Sequence, residues 1–307
     1  MYDIIIIGAG PAGLTAAIYA RRASKTVLVL EAKTYGGQII TTNKIDNYPA
    51  EPGISGPEFA KKLYDQVIEL GAEVVFEKAL DIHNLEDKKE VVTANKVYEA
   101  KAIIIATGVD NRKIGLENEE KLTGKGVSYC ATCDGAFFKN QDVAVVGGGN
   151  TALQDALYLS NICNKVYLIH RRDEFRADEN TVEKLKEKDN VEFVLNSVVT
   201  KLEEENDSLV GIEVKDKEGN ISNMSITGIF VAVGQVPENQ NFAKFAKMDD
   251  KGYIIAGENC HTETEGIFVA GDNRVKEVRQ LVTAASDGAI AATEAVKYIR
   301  ELKKKEQ

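Results

Sequence analysis

Asp3-Ile4-Ile5-Ile6-Ile7-Gly8-Ala9-Gly10-Pro11-Ala12-Gly13 has a gap-free counterpart 139 residues further on, Asp142-Val143-Ala144-Val145-Val146-Gly147-Gly148-Gly149-Asn150-Thr151-Ala152. Each copy opens as a short, fully apolar, β-branched run, the pattern of a strand buried on both faces of a parallel sheet. Each then passes through glycines into an amphipathic helical stretch, 14–23 and 152–161, and reaches a second apolar run, 26–30 and 165–169. Strand, glycine turn, helix and strand are written twice, so the chain holds an internal repeat of a βαβ unit.

Three more apolar runs end at or next to glycine: 102–108 (AIIIATG), 228–234 (GIFVAVG) and 266–272 (GIFVAGD). The simplest arrangement joins the first repeat to the C-terminal segment and inserts the second repeat between them. The expected fold class is α/β, with two Rossmann-like (three-layer) dinucleotide-binding domains, the second inserted into the first. Domain limits are expected at 1–115, 116–244 and 245–307, with polar crossings at 113–122 and 236–249 that suit a hinge.

Bulk properties narrow the function classes. The 307 residues suffice for two domains of common size, and 44% hydrophobic with 28% charged residues is a soluble, globular composition. A net charge of −10 argues against a nucleic-acid surface. No apolar run approaches the ~18 residues of a membrane span, so no membrane is expected. Met1-Tyr2-Asp3 runs directly into the isoleucines with no basic leader or cleavage site, which makes the cytoplasm the expected compartment.

Gly8, Gly10 and Gly13 fit the G-x-G-x-x-G turn. The first glycine permits a tight turn, the second lets backbone approach a pyrophosphate, and the third lets the helix pack on the sheet. The helix N-terminus offers N–H groups and a positive dipole to phosphate. Glu31 ends the second strand, about 20 residues on, where an acid accepts a ribose 2′-hydroxyl. In the second copy Gly147, Gly149 and Ala152 take the three positions, and the position matching Glu31 is His170, followed by Arg171, Arg172 and Arg176. A carboxylate repels a 2′-phosphate, whereas guanidinium groups bind one bidentately. The reading is FAD at the first loop and NADPH at the second. Ranges 1–115 and 245–307 are then the FAD-binding domain, with Gly271-Asp272 reaching the flavin from the far side, and 116–244 is the NADPH-binding domain.

Cys130-Ala131-Thr132-Cys133 has the C-x-x-C spacing, with Asp134 and Gly135 following. Zinc needs four ligands, and the remaining Cys163, Cys260, His83, His170 and His261 form no second pair of ligand spacing, so no metal is expected. A redox disulfide needs only Cys130 and Cys133, one of them activated as thiolate. Asp134 is the natural proton donor or acceptor, a role compatible with its also being an N-cap for the next segment. Cys163 reads as a core residue, His83 as a surface loop residue, and Cys260 receives no function.

Gly8–Gly13, Gly36-Gly37-Gln38, Cys130–Asp134, Gly147–Ala152, His170–Arg176 and Gly271-Asp272 with Arg279-Gln280 occur in this order. Over essentially its whole length the chain resembles the low-molecular-weight bacterial thioredoxin reductases of the pyridine nucleotide-disulfide oxidoreductase family. The resemblance implies a homodimer in which electrons pass from NADPH to FAD to the cysteine pair to thioredoxin. It implies Cys133 next to the flavin, Cys130 as the exchanging thiol and Asp134 as acid/base, with a domain rotation bringing NADPH and the cysteines to the flavin in turn. It places FAD against Pro11, Ala12, Glu31, Ala32, Lys33, Gly36, Gly37, Gln38, Thr41 and Asn47. Thr107, Gly108, Gly271, Asp272, Arg279, Gln280 and Leu281 complete that lining, and Asn150 and Thr151 join the second loop around NADPH. Two departures stand out. Asn273 follows Gly271-Asp272 where relatives carry Cys or another residue, a change not expected to matter, and Leu153-Gln154-Asp155 replaces a more usual acidic pair.

Three rivals remain. A ferredoxin-fed relative is opposed by the intact second loop and its arginines. An NADPH reductase of another disulfide partner, such as a peroxiredoxin-type protein, would be expected to carry an extra N-terminal redox domain. A non-catalytic redox sensor explains the folds and cysteines but not a complete electron path.

Overall fold

A computed structural model describes residues 1–42 and 44–305. Strand β1 (Tyr2–Ile7) leads through the glycine turn to helix α1 (Pro11–Arg22) and strand β2 (Val27–Leu30). Proline fits the first turn of α1, where its missing N–H is needed by no intrahelical bond. After α2 (Gly56–Glu69) come β3 (Glu73–Val75), β4 (Asp81–Asn84), β5 (Lys89–Val92), β6 (Val97–Ile105) and β7 (Val109–Asn111). His83 therefore lies on a strand, exposed, and not in a loop.

The second repeat is preceded by α3 (Glu119–Leu122), β8 (Val127–Ser128) and α4 (Ala131–Asp134). It comprises β9 (Asp142–Val146), α5 (Asn150–Ser160) and β10 (Lys165–Ile169), then α6 (Glu179–Lys186) and β11 (Val191–Val194). Strands β12 (Ser197–Glu205), β13 (Ser208–Asp216) and β14 (Ile221–Met224) form an antiparallel sheet, and β15 (Gly228–Val231) returns to the parallel one. Strand β16 (Gln235–Pro237) pairs with β7, and the chain ends in β17 (Ile267–Val269) and α7 (Leu281–Lys305).

The two repeats share more than their pattern. Ile4 pairs with Val27 and Ile7 with Leu30; Val143 pairs with Val166 and Val146 with Ile169. The 139-residue offset carries one register onto the other, so even the strand pairing is duplicated.

The chain divides into two units. The first takes residues 1–40, 48–110 and 236–305, and the second takes 41, 42 and 44–47 with 111–235. The changes at 110/111 and 235/236 fall ahead of the expected 115/116 and 244/245. Both changes fall within the paired strands β7 and β16, ahead of the polar crossings at 113–122 and 236–249.

In the first unit the order β3-β2-β1-β6 is parallel, β17 adds to β6 in parallel, and β5 and β4 extend an antiparallel arm. Alternate residues of each strand face opposite layers. Ile4, Ile6, Val27 and Ile104 pack on α1 and α7, while Ile5, Ile7, Leu28 and Ile103 pack on Val91, Phe242 and Ile254. In the second unit the parallel order is β11-β10-β9-β15-β8. Val143, Val145 and Leu168 face α5 and Leu185 of α6; Ala144, Ile169 and Ile229 face Leu202, Leu209 and Ile212 of the antiparallel sheet. Both units are three-layered as expected, and in the second the third layer is β rather than α.

Candidate functional site

Gly8 closes β1 with φ +110°, and a Cβ there would lie 2.2 Å from the Ala106 carbonyl oxygen. Gly13 is as tightly required, because a Cβ would lie 1.9 Å from the Gly8 carbonyl oxygen. Gly10 differs: the nearest atom to its Cβ would be the Gly37 Cα at 4.0 Å, so protein packing does not demand a glycine there. The first turn of α1 holds no acid and no capping side chain. Space beside a bare helix N-terminus is what a pyrophosphate needs.

Glu31 ends β2 and accepts the Ala9 N–H at 2.7 Å and the Lys33 N–H at 2.8 Å, so its carboxylate also fixes the glycine loop. The Gly36 N–H donates to the Ala9 carbonyl at 2.8 Å and Gln38 donates to the Val109 carbonyl, bringing 36–38 onto the same loop. Ala32 and Lys33 are exposed beside it. Thr107 and Gly108 follow β6, and Gly271 and Asp272 follow β17, at the C-terminal ends of neighbouring parallel strands where α/β sheets bind ligands. Asp272 Oδ1 is buried with no hydrogen-bond partner among the described residues, and burial pushes the carboxyl up to about 6. Arg279 donates to the Asp272 backbone carbonyl at 3.3 Å and lies 4.2 Å from the Tyr253 ring centroid; Gln280 and Leu281 open α7. The structure thus gathers most of the first set within one unit. Thr41 and Asn47 group with the other.

Asn273, not expected to matter, is fully buried. Its amide donates to Thr107 Oγ1 at 3.1 Å and to Asn239 Oδ1 at 3.3 Å, and Asn239 donates to the Asn273 carbonyl at 2.7 Å. That expectation is corrected: the asparagine ties the loop after β17 to the end of β6.

In the second unit Gly147 has φ +156° and a Cβ would lie 2.4 Å from the Ala232 carbonyl oxygen and 2.7 Å from Ala152 Cβ. Gly149 precedes α5 with nothing within 4 Å of a Cβ, repeating the situation at Gly10. The Arg176 N–H donates to the Gly148 carbonyl at 2.7 Å and the Asp178 N–H to Asn150 Oδ1 at 2.9 Å, so segment 170–178 folds back onto the loop. The His170 ring lies against Gly148 and stacks on Phe175, and burial, reinforced by Arg171, Arg172 and Arg176, holds its pKa below the usual value. Thr151 and the three arginines are exposed, and among the described residues those arginines form no ion pair. Such a cluster beside a helix N-terminus fits a 2′-phosphate.

Cys130 and Cys133 form a disulfide, with Cα atoms 5.3 Å apart, Cys130 preceding the single turn of α4 and Cys133 lying within it. Ser128, invisible in the sequence reading, accepts the Cys130 N–H at 3.1 Å and donates to Asp134 Oδ2 at 2.6 Å. Burial raises the Asp134 pKa above the ordinary carboxylate value, opposed by the Ser128 bond. Asp134 caps no helix with its side chain. A serine two residues before a C-x-x-C was the only available signal. On α5, Asp155 is half-buried without a hydrogen-bond partner among the described residues and burial pushes it up to about 7. Cys163 and Cys260 are buried, and burial pushes both thiols up to about 11, which suits inert core residues.

The model of the family described as pyridine nucleotide-disulphide oxidoreductase matches residues 2–289. A thioredoxin reductase of Listeria monocytogenes is 42% identical over 304 residues, spanning 99% of this chain and 95% of that protein. The crystal structure of thioredoxin reductase from Streptococcus pyogenes matches with TM-score 0.93 at 40% identity, over 98% of this chain and 99% of that one. Thioredoxin reductase from Giardia duodenalis matches with TM-score 0.90 at 33% identity, over 97% and 99%.

Proposed function

We propose a function from one premise: the chain belongs to the pyridine nucleotide-disulphide oxidoreductase family. It is a thioredoxin-disulfide reductase that uses NADPH and FAD to reduce its Cys130–Cys133 disulfide and, through it, thioredoxin. The observation that carries this reading is a disulfide beside a half-buried acid, Asp134, in the same unit as a glycine loop wrapped by arginines that form no ion pair among the described residues.

We assign FAD to the first unit and NADPH to the second. Bound FAD supplies the two-electron link between the nicotinamide and the disulfide. Glu31 holds the first glycine loop, and the open approach at Gly10 and the unpartnered Asp272 oxygen suit the pyrophosphate and a polyhydroxyl chain. Arg171, Arg172 and Arg176 bind the 2′-phosphate of NADPH. Two electrons entering the disulfide break its S–S bond, and Asp134, raised in pKa, gives a proton to one of the two sulfurs. The Cys130 thiolate then attacks one sulfur of the thioredoxin disulfide, and the other leaves with the electron pair and takes a proton. Attack by Cys133 on Cys130 releases the second thioredoxin sulfur as a thiol and restores the starting bond. A cytoplasmic homodimer is part of the same proposal, supported by the likeness to bacterial enzymes; among the described residues no helix is long and apolar enough to cross a membrane.

Steady-state assays pairing NADPH, NADH and reduced ferredoxin with thioredoxin, glutaredoxin-like and peroxiredoxin-type acceptors test the reading. NADPH with thioredoxin should dominate. Turnover from ferredoxin with no response to NADPH, or a preference for another acceptor, would overturn it.

A further inference from the structure

Helix α7 carries a charge cluster that the electron path does not use. Asp287 is 4% exposed and its two carboxylate oxygens take four donors. Arg274 binds it bidentately, Nε and Nη2 each at 2.8 Å; Lys276 Nζ approaches to 2.9 Å and the Gly271 N–H to 3.0 Å. The two cations are themselves nearly buried, their side chains 11% and 8% exposed. The next residue, Gly288, sits so close to α1 that a Cβ would lie 2.1 Å from the Ala12 carbonyl oxygen. One turn of α7 therefore touches the first glycine loop and grips the segment that carries Asp272.

That segment contains a second carboxylate in the opposite condition. Asp272 Oδ1 is buried and accepts nothing among the described residues, although Lys276, Arg279 and Arg274 are all near enough to act on it as positive charges. Arg279 is engaged elsewhere, donating to the Asp272 and Arg274 backbone carbonyls. Two nearly buried cations on the loop that carries Asp272 thus both bind the carboxylate of Asp287 on α7. Charge-assisted hydrogen bonds are strong, and a cation freed in this setting would turn to the remaining carboxylate. A carboxylate engaged by a guanidinium or ammonium has fewer lone pairs for a hydroxyl donor.

We propose that Asp287 is a positioning residue which sequesters Arg274 and Lys276 and thereby keeps Asp272 free to accept hydrogen bonds from the polyhydroxyl chain of FAD. The proposal rests on the assignment of FAD to the first glycine loop. It differs from a purely structural clasp in one respect: removing the cations along with Asp287 should repair the defect, whereas a clasp would only lose more contacts.

The test is the dissociation constant for FAD of the full chain stripped of flavin, read by flavin fluorescence. Asp272→Asn and Asp287→Asn should each weaken binding tenfold or more. The combined Asp287→Asn/Arg274→Gln/Lys276→Gln variant should return to within about threefold of the unmodified protein. An Asp287→Asn protein that binds FAD normally, or a combined variant weaker than the single one, overturns the proposal. If Asp287→Asn does not fold, Arg274→Gln/Lys276→Gln decides: near-normal affinity supports sequestration and a tenfold loss refutes it. Normal affinity in Asp272→Asn removes the FAD assignment itself, which separates that failure from the failure of Asp287.

Discussion

Truncating the arginines of the second loop gives a selective loss whose size follows from their surroundings. Arg171 and Arg176 are exposed and form no ion pair among the described residues, so removing their side chains leaves no buried acid uncompensated. The backbone bond from Arg176 N–H to the Gly148 carbonyl survives in Arg176→Ala, so the loop keeps its shape. What is lost is the contact to phosphate. A hydrogen bond to a charged group contributes roughly 1.5–3 kcal/mol, and solvent exposure places these at the lower end. Two such losses amount to about 3 kcal/mol, or a factor of about 100 in affinity. The account predicts that Arg171→Ala/Arg176→Ala raises KM for NADPH about 100-fold, leaves kcat at saturation within twofold, and leaves kcat/KM for NADH within about threefold. Initial-rate kinetics with both donors measures this, and the NADPH penalty should shrink as salt screens the charges. Equal losses for NADPH and NADH would refute the reasoning, because the arginines would then be serving the loop or the pyrophosphate.

Other consequences follow from single distances and burial. Gly13→Ala should destabilise the fold by several kcal/mol, its Cβ falling 1.9 Å from a carbonyl oxygen, whereas Gly149→Ala should leave the melting temperature within a few degrees and weaken NADPH tenfold or more. Burial raises Asp272 to about 6, so its contribution to stability is present at low pH and lost as pH rises through 6. Hydroxyl donors favour the ionised form, and FAD affinity should therefore increase from pH 5 to 7; Asp272→Asn should flatten that dependence in fluorescence titrations. Asp134→Asn should preserve flavin reduction by NADPH but slow thioredoxin turnover about 10²-fold or more, by stopped-flow and steady-state rates compared side by side.

The sequence was most informative where an interaction is local or repeated. The paired glycine loops announce two βαβ units because a tight turn between a buried strand and a helix leaves few residue choices. Setting Glu31 against His170 and its arginines works because the strand registers really are equivalent, Ile4–Val27 against Val143–Val166. Contacts made across the chain were not legible. Asp287 looks like an ordinary acid on a helix until Arg274 and Lys276 are seen folded onto it. Asn273 looks dispensable until Thr107, 166 residues away, and Asn239 are seen bonded to it. Ser128 drew no reading from the sequence, and only folding turns its hydroxyl toward both Cys130 and Asp134.

The central claim is that electrons from NADPH arrive at Cys130 and Cys133. Anaerobic addition of one equivalent of NADPH to the oxidised flavoprotein, followed by alkylation and peptide mass mapping, tests it most directly. The account predicts flavin bleaching followed by label on Cys130 and Cys133, with Cys163 and Cys260 unlabelled in the folded protein. It also predicts that Cys130→Ser still bleaches but no longer reduces thioredoxin. Flavin that stays oxidised with NADPH, or bleaching that leaves the Cys130–Cys133 bond intact, would contradict it.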